Sequence, residues 1–342
     1  MRNKVLITGS QGFVGRYLVA ALLREFSDIT ILGIGRSSLS STFFTHDVQI
    51  KDGQTLKAPL PTDLRTLNGN YTYLPVDLLD LNKLHEIFND FSPTAIIHLA
   101  SGLKGDSSSK LFHTNVLGTF NLLSVLKSSV KDIPIISVSS GSVYGFKSAD
   151  PPFEETQQYN PEDQYQFAKA TEEVFVREFC DRFNIPWMIL RVFNIVGPGQ
   201  DERHVCGRFI SELVSIKGGY KKAILNVSSL TSQRDFVDVR DVANNIVKLF
   251  QNGKYNEVYN ICSSKPLPIR DILEISLNLV FEGKSGDLTI NGLYEKSSND
   301  INDRNFGNNK KLLEAGGKID FEINISIKDI VDYYEFVYEQ YI

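Results

Sequence analysis

Short runs of consecutive apolar, β-branched residues alternate along the first half of the chain with longer segments whose apolar positions recur every three or four residues. VLIT (Val5–Thr8) leads into FVGRYLVAALLREF, and ITILGIG (Ile29–Gly35) ends at a polar stretch. TAIIHLA (Thr94–Ala100) precedes TNVLGTFNLLSVLK, and IPIISVSS (Ile133–Ser140) precedes a turn rich in Gly and Pro. WMILRVFN (Trp187–Asn194) follows another helical segment. Strands that are apolar at successive positions are buried on both faces, so the fold class expected is α/β, a parallel sheet covered by helices on either side.

Ser37 to Asn70 is a polar insertion with no clear period, and it reads as a long loop with some local structure. Beyond Gly197 the alternation loosens. RFISELVSI and VANNIVKLF predict helices, AILNVS, RDFVDV and EVYNIC short strands, and NKKLLEAG and IKDIVDYYEFVYEQY closing helices. The division expected is a cofactor-binding domain over 1–190 and a smaller α/β lobe over 191–342, mainly for substrate and partly interleaved with the first.

Composition narrows the class. Of the 342 residues, 42% are hydrophobic and 23% charged, which is the balance of a folded globular chain. A net charge of −5 offers no basic excess to neutralise phosphates, so nucleic acid is not an expected partner. The three cysteines (Cys180, Cys206, Cys262) are widely spaced, with neither disulfide nor zinc spacing. The five histidines lack metal-ligand spacing, and His98, at the end of a buried strand, is expected to satisfy a nearby backbone group. The N-terminus is expected to enter a strand without a leader, and no apolar run approaches the roughly 20 residues that span a bilayer. A cytoplasmic protein without a membrane partner is expected.

TGSQGFVG sits between the first strand and the first helix and carries Gly9, Gly12 and Gly15, with Phe13 and Val14 between the last two. Such a turn must leave a strand sharply, let backbone approach a pyrophosphate, and aim free helix N–H groups at it. This predicts dinucleotide binding. An acid near the end of the second strand would bond the ribose 2′-hydroxyl of NAD. Here the chain reads LGIGRSS, with Arg36 and Ser37 able to bond a 2′-phosphate instead. NADP(H) is therefore the cofactor expected, the competing reading of Arg36 being a solvated surface arginine.

Tyr165 and Lys169 lie four residues apart in DQYQFAKATEE, on one helix face. Asn160 as N-cap and Pro161 at the first position predict where that helix starts. A phenol titrates near 10, and an adjacent ammonium lowers that value, which suits the tyrosine to exchange a proton with a carbonyl or alcohol. Upstream, Ser139, Ser140 and Ser142 in SVSSGSVYG follow a buried strand, where a hydroxyl faces the crevice, although serines there also serve as turn formers.

Together TGSQGFVG, VDLLD, HLAS, HTNVLGT, SSGSVYG, YQFAK, RVFNIVGPGQ and QRDFVDVRDVA make the chain resemble an extended short-chain dehydrogenase/reductase acting on nucleotide-activated sugars. The resemblance covers nearly the whole length and implies a Rossmann-type doubly wound sheet. It also implies roles by position. Ser140 corresponds to the family's catalytic Ser/Thr, Tyr165 to its acid/base, and Lys169 to its ribose-binding lysine. Asp77 and Leu78 would flank the adenine, Ala100 and Ser101 would line the cofactor groove, and Asn115 would support the site. Ser140, Ser142, Asn194, Arg234 and Arg304 would contact the sugar nucleotide. Asn194 could instead be a loop cap, and Arg234 a structural partner of Asp235 or Asp238. Relatives commonly dimerise through two helices per subunit, which points here to FNLLSVL and the Tyr165 helix and to a homodimer.

The residues after the serine sort the chemistry. A 4,6-dehydratase needs a carboxylate base there, whereas this chain has Gly141 and Ser142, with Glu154 and Glu155 relevant only if they fold back. The segments GPGQ, QRDFVDVRDV and EVYNICSSKPLPIRDIL resemble GDP-4-keto-6-deoxy-mannose reductases. The expected activity is NADPH-dependent reduction of a 4-keto-6-deoxy sugar nucleotide, GDP-linked. The alternatives are a 4-epimerase or 4,6-dehydratase and, from another class, a non-catalytic NADP(H) sensor.

Overall fold

The computed structural model describes residues 3–50, 53–67, 69–128, 132–145, 152–228, 230–283, 288–292 and 303–341. Part of the Gly- and Pro-rich turn, 146–151, lies outside them. Strand β1 (Lys4–Thr8) enters helix α1 (Phe13–Glu25), and β2 (Thr30–Gly35) follows. The polar segment read as a long loop with some local structure is more regular than that. It folds into an antiparallel hairpin, β3 (Phe43–Gln49) with β4 (Thr55–Pro59), then a short helix α2 (Thr62–Arg65) and a further strand β5 (Asn70–Pro75). In β3, Phe44 and Val48 are buried while Thr45, Asp47 and Gln49 are exposed. The period of two is present, but half-buried His46 breaks the apolar face that would reveal it.

The chain continues through α3 (Leu81–Phe91), β6 (Ala95–His98), α4 (Ser108–Leu111), a π-helical turn over Phe112–Leu117, α5 (Gly118–Ser128) and β7 (Ile135–Ser140). Helix α6 (Gln164–Arg182) and β8 (Trp187–Val192) complete the first half. The second half runs β9 (Asn194–Val196), α7 (Val205–Lys217), β10 (Ile224–Asn226), β11 (Gln233–Asp238), α8 (Val239–Asn252) and β12 (Glu257–Ile261). It ends with β13 (Pro266–Pro268), α9 (Ile269–Phe281), β14 (Thr289–Asn291), β15 (Arg304–Asn305), α10 (Lys310–Glu314) and α11 (Ile323–Tyr341).

Seven strands form one parallel sheet in the order β12-β8-β7-β6-β1-β2-β5. Side chains alternate across it: Val5 and Ile7 of β1 join one core, and Leu6 joins the other. Each such buried aliphatic chain contributes about 1.5–3 kcal/mol, which is why the central strands are apolar throughout. Edge strand β12 pairs with β8 from Glu257↔Met188 to Ile261↔Val192, so the sheet draws one strand from beyond residue 190. Strand order reverses at β1, and a crevice opens at the carboxyl ends of β1 and β6. The second half roofs that crevice with a small sheet in which β11 pairs with β9, β13 and β15.

The hairpin closes the remaining side. The Phe44 ring packs edge-on against Phe13, centroids 6.0 Å apart, and fills the space a side chain at Gly199 would need. Tyr333 and Tyr338 of α11 donate their hydroxyls to Pro59 O and Gln49 O, each at 3.0 Å.

Candidate functional site

A cavity of about 880 Å³ lies over the carboxyl ends of β1, β6 and β7, between the sheet and the second-half roof. The glycine loop forms one wall. Gly9 has φ +73°, and a Cβ there would stand 2.8 Å from Ala100 N, while a Cβ on Gly15 would stand 2.4 Å from Gly9 O. Gly12 caps α1 without any side-chain bond to its free N–H groups, and no acid sits in the first turn. Backbone donors at a positive helix end, cleared of side chains, fit a dinucleotide's pyrophosphate. Two tyrosines of β5 brace this wall. Tyr71 Oη lies 3.1 Å from Ser10 Oγ and accepts from Gln11 Nε2 at 2.9 Å, and Tyr73 Oη shares its one proton between Gly35 O at 2.9 Å and Ser37 O at 2.7 Å.

Phe13, Val14, Arg36, Ser37, Asp77, Leu78, Ala100 and Ser101 all line the cavity. Arg36 is exposed at the mouth and makes no ion pair among the described residues. The cavity-lining carboxylates among the described residues are Asp77, Asp163 and Asp201, so none follows β2. Asn115 does not reach the wall. It is buried in the π-helical turn, where its Oδ1 accepts from Gly102 N at 2.7 Å.

Helix α6 begins later than expected. Its N-cap is Asp163, whose carboxylate accepts from Gln166 N at 2.8 Å. Asn160 stays in the preceding turn, its N–H donating to Val143 O at 3.0 Å and its carbonyl lying against Gly145. Asp163 also holds Lys104 at 3.2 Å. Tyr165 and Lys169 still face the cavity together, beside Ser140 and Ser142. Ser140 Oγ accepts from Ser142 N at 3.2 Å, and Ser142 Oγ is buried without a partner among the described residues.

Burial pushes the Tyr165 phenol above its ordinary value, against the opposing pull of Lys169 and a hydrogen bond with Ser140. The lowering expected from the lysine alone is thus outweighed in the protein without ligand, because desolvating a phenolate costs more than one neighbouring cation returns. Lys169 Nζ donates to Val138 O at 3.1 Å and sits 3.3 and 3.1 Å from the two oxygens of buried Glu172.

Behind them runs a buried layer that sequence reasoning missed. Arg191 donates Nε and Nη2 to Glu173 Oε2 at 3.0 and 2.8 Å and Nη1 to Tyr144 Oη at 2.8 Å. Tyr144 donates onward to Asn260 Oδ1 at 2.8 Å, and Ser139 Oγ donates to Glu173. Tyr144 is therefore a foundation of the site rather than part of its wall. His98 also departs from expectation, because side-chain hydroxyls satisfy it rather than backbone. Thr8 Oγ1 accepts from Ala100 N at 3.1 Å and Thr119 Oγ1 donates to Asn115 O at 2.6 Å. That leaves His98 Nδ1 to accept from Thr8 at 2.6 Å and Nε2–H to donate to Thr119 at 2.9 Å. Burial, with Lys169 nearby, pushes the imidazole down to about 3, so it is neutral.

At the roof, Asn194 and Arg234 line the cavity. Asn194 Nδ2 donates to Asp235 O at 3.1 Å. Arg234 pairs with neither acid weighed from the sequence. Its Nη2 is 2.8 Å from the Asp303 carboxylate, while Asp235 accepts from Ser263 and Ser264, and Asp238 holds Arg240. Arg304 is not on the wall. Side chains alternate along β15, and it is Asn305 that faces the cavity, donating to Gly141 O at 3.1 Å and Gly145 O at 2.9 Å. Glu154 and Glu155 do not fold back: Glu154 accepts from Asn308 Nδ2 and Glu155 from Asn260 N, both at 2.9 Å. No helix among the described residues is long and apolar enough to cross a membrane.

This arrangement has known counterparts. Residues 5–262 match the NAD dependent epimerase/dehydratase family. GDP-6-deoxy-D-mannose reductase of Pseudomonas aeruginosa is 28% identical over 284 residues, covering 80% of this chain and 79% of its own. Human dTDP-D-glucose 4,6-dehydratase is 24% identical over 287 residues, covering 83% and 75%. Among solved structures, RMD from Pseudomonas aeruginosa complexed with NADPH superposes with a TM-score of 0.75 at 24% identity, covering 98% of this chain and 99% of that one. The dTDP-glucose 4,6-dehydratase of Bacillus anthracis in complex with NAD superposes at 0.79 with 20% identity, covering 98% of each. From its doubly wound sheet, glycine cradle and Tyr-Lys pair, and from the match over most of its length, the chain belongs to the NAD-dependent epimerase/dehydratase family, among enzymes that modify nucleotide-linked sugars.

Proposed function

We propose that the protein reduces the 4-keto group of a nucleotide-activated 4-keto-6-deoxy sugar with NADPH, in the cytoplasm, and that the nucleotide is GDP. The carrying observation is the cavity wall around Ser140. Tyr165, Lys169 and Ser140 converge there, while the positions after the serine hold Gly141 and Ser142 rather than a carboxylate. Proton exchange with a sugar oxygen has its donor, but abstraction of a carbon-bound proton next to the ketone lacks its base. The GDP assignment rests on the relative at 28% identity named as a GDP-6-deoxy-D-mannose reductase.

In this reading the nicotinamide supplies the hydride. Gly9, Gly12 and Gly15 hold the pyrophosphate, Arg36 and Ser37 the 2′-phosphate, Asp77 and Leu78 the adenosine, and Ala100 and Ser101 the groove between. Tyr165 Oη donates its proton to the carbonyl oxygen as the alcohol forms. Lys169 stabilises the phenolate left behind, and Ser140 orients the carbonyl. Ser142, Asn194 and Arg234 hold the sugar nucleotide.

The test is NADPH consumption with GDP-, dTDP-, CDP- and UDP-linked 4-keto-6-deoxy sugars, with product stereochemistry read by NMR. Stoichiometric oxidation with the GDP sugar is expected. Interconversion at C4 with no net cofactor use would establish an epimerase, and tight NADPH binding without consumption of any of them a redox sensor.

Arg36→Asp should invert the cofactor preference. A charge-assisted hydrogen bond contributes about 1.5–3 kcal/mol, so NADPH affinity should fall ~10-fold or more while NADH affinity holds or rises. Titration of intrinsic fluorescence with each cofactor reads this, and an unchanged ratio would return Arg36 to the solvent.

The homodimer is proposed on the same footing. Phe112, Leu117 and Phe120 with Phe167 and Val174 of α6 are large apolar side chains exposed on neighbouring helical segments. Light scattering should give twice the 38.5 kDa of one chain, and Phe167→Glu should halve the mass; a wild-type monomer would end this assignment.

A further inference from the structure

Lys169 stands at the inner wall of the cavity with a side-chain exposure of only 3%. An ammonium so placed needs a counter-charge, since burial by itself favours the neutral amine. Glu172, three residues on along α6 and 1% exposed, puts both carboxylate oxygens on it at 3.3 and 3.1 Å. Val138 O takes another proton at 3.1 Å. Two of the three N–H bonds are thereby directed, and one remains for the cavity. The next glutamate cannot substitute, because Arg191 and Ser139 already hold Glu173.

We propose that Glu172 is a positioning residue of this site: the buried counter-ion that keeps Lys169 an ammonium ion and aims its remaining N–H at the cavity. The inference rests on the reading of Tyr165 and Lys169 as the working pair. The groups around this pair leave Glu172 as the counter-charge in contact with it. Helix α6 brings Tyr165, Glu173 and, beyond the tyrosine, Asp163. Strand β7 brings Ser137 Oγ, 3.5 Å from Glu172 Oε1, and the Val138 carbonyl. Strand β6 brings neutral His98, and β8 brings Arg191, neutralised by Glu173. Burial pulls Lys169 down, and Glu172 leads the influences that hold it above the ordinary lysine value of 10.5; burial also pushes the Glu172 carboxyl up to about 7, with Lys169 the first influence against it, so the ion pair is complete only above neutrality. With the carboxylate gone, burial is opposed by the smaller pulls of Tyr165 and Glu173, the amine gives up its proton at lower pH, and Tyr165 loses the cation that stabilises its phenolate over that range.

The test follows Lys169 by NMR in the free full-length protein carrying isotope-labelled lysine, its resonance identified by its loss in Lys169→Met. In wild type it should remain an ammonium through neutral and mildly alkaline pH. In Glu172→Gln the midpoint should fall by about two units or more, the range of uncompensated burial, and Glu172→Asp should keep most of the wild-type value. A Gln variant titrating like wild type would overturn the proposal. Should that variant not fold, the reciprocal measurement decides: in Lys169→Met the Glu172 carboxyl must titrate higher than in wild type, and an unchanged midpoint would overturn it equally. With substrate, kcat of Glu172→Gln should fall off at lower pH than that of wild type. The titrations need no substrate, so they stand or fall separately from the reductase reading.

Discussion

Tyr165→Phe should lower turnover by at least ~100-fold, the usual scale of acid–base assistance, and leave NADPH affinity essentially unchanged. The substitution removes one oxygen from a ring whose other contacts stay in place, and in the proposed reduction the lost atom is the proton donor to the substrate oxygen. Burial holds the phenol in its protonated form, with Lys169 and Ser140 pulling the other way. That balance suits reduction, in which the tyrosine begins as an acid. Single-turnover mixing with stopped-flow absorbance separates the chemical step from product release. Wild-type turnover in this variant would remove Tyr165 from the mechanism, whatever the cofactor affinity.

Arg191→Leu should be the most destabilising single change near the site. Arg191 is 2% exposed and Glu173 1%. Truncating the cation strands a desolvated carboxylate, for which about 3–5 kcal/mol is typical. The loss extends further, since the same guanidinium donates to Tyr144 and lies 4.7 Å from the centre of its ring. Chemical denaturation at neutral pH reads the change, and Arg191→Leu combined with Glu173→Leu should recover part of it because no orphaned charge remains. A single variant as stable as wild type would show that solvent reaches the pair.

Much of this was legible in the chain. Apolar runs alternating with amphipathic segments specify a parallel sheet because burial on both faces admits little else, and the glycine spacing matches a backbone that leaves no room for side chains. The Tyr-Lys spacing also survives a misplaced helix start. Asn160 and Asp163 are both residue types that cap helices, and the contact of Asn160 with Val143, together with the bond from Gln166 N to Asp163, decides between them. Other features were hidden for definite reasons. The β3–β4 hairpin sets His46 among its inward positions, which blurs the alternation. Strand β15 has two residues, too few to show which of Arg304 and Asn305 faces inward. Lys169 and Glu172 are visible at a spacing that usually marks a solvated pair, and the burial that changes their meaning comes from strands distant in sequence.

The tyrosine bonds from α11 to the hairpin carry a consequence for the far end of the chain. Thr45 and His46 line the cavity, so its boundary is latched by a helix contributed by the final residues. Removing α11 would unfasten a wall of the chamber without removing any residue that lines it, and would strip Ile327, Ile330, Tyr334 and Val337 from the core that backs the sheet.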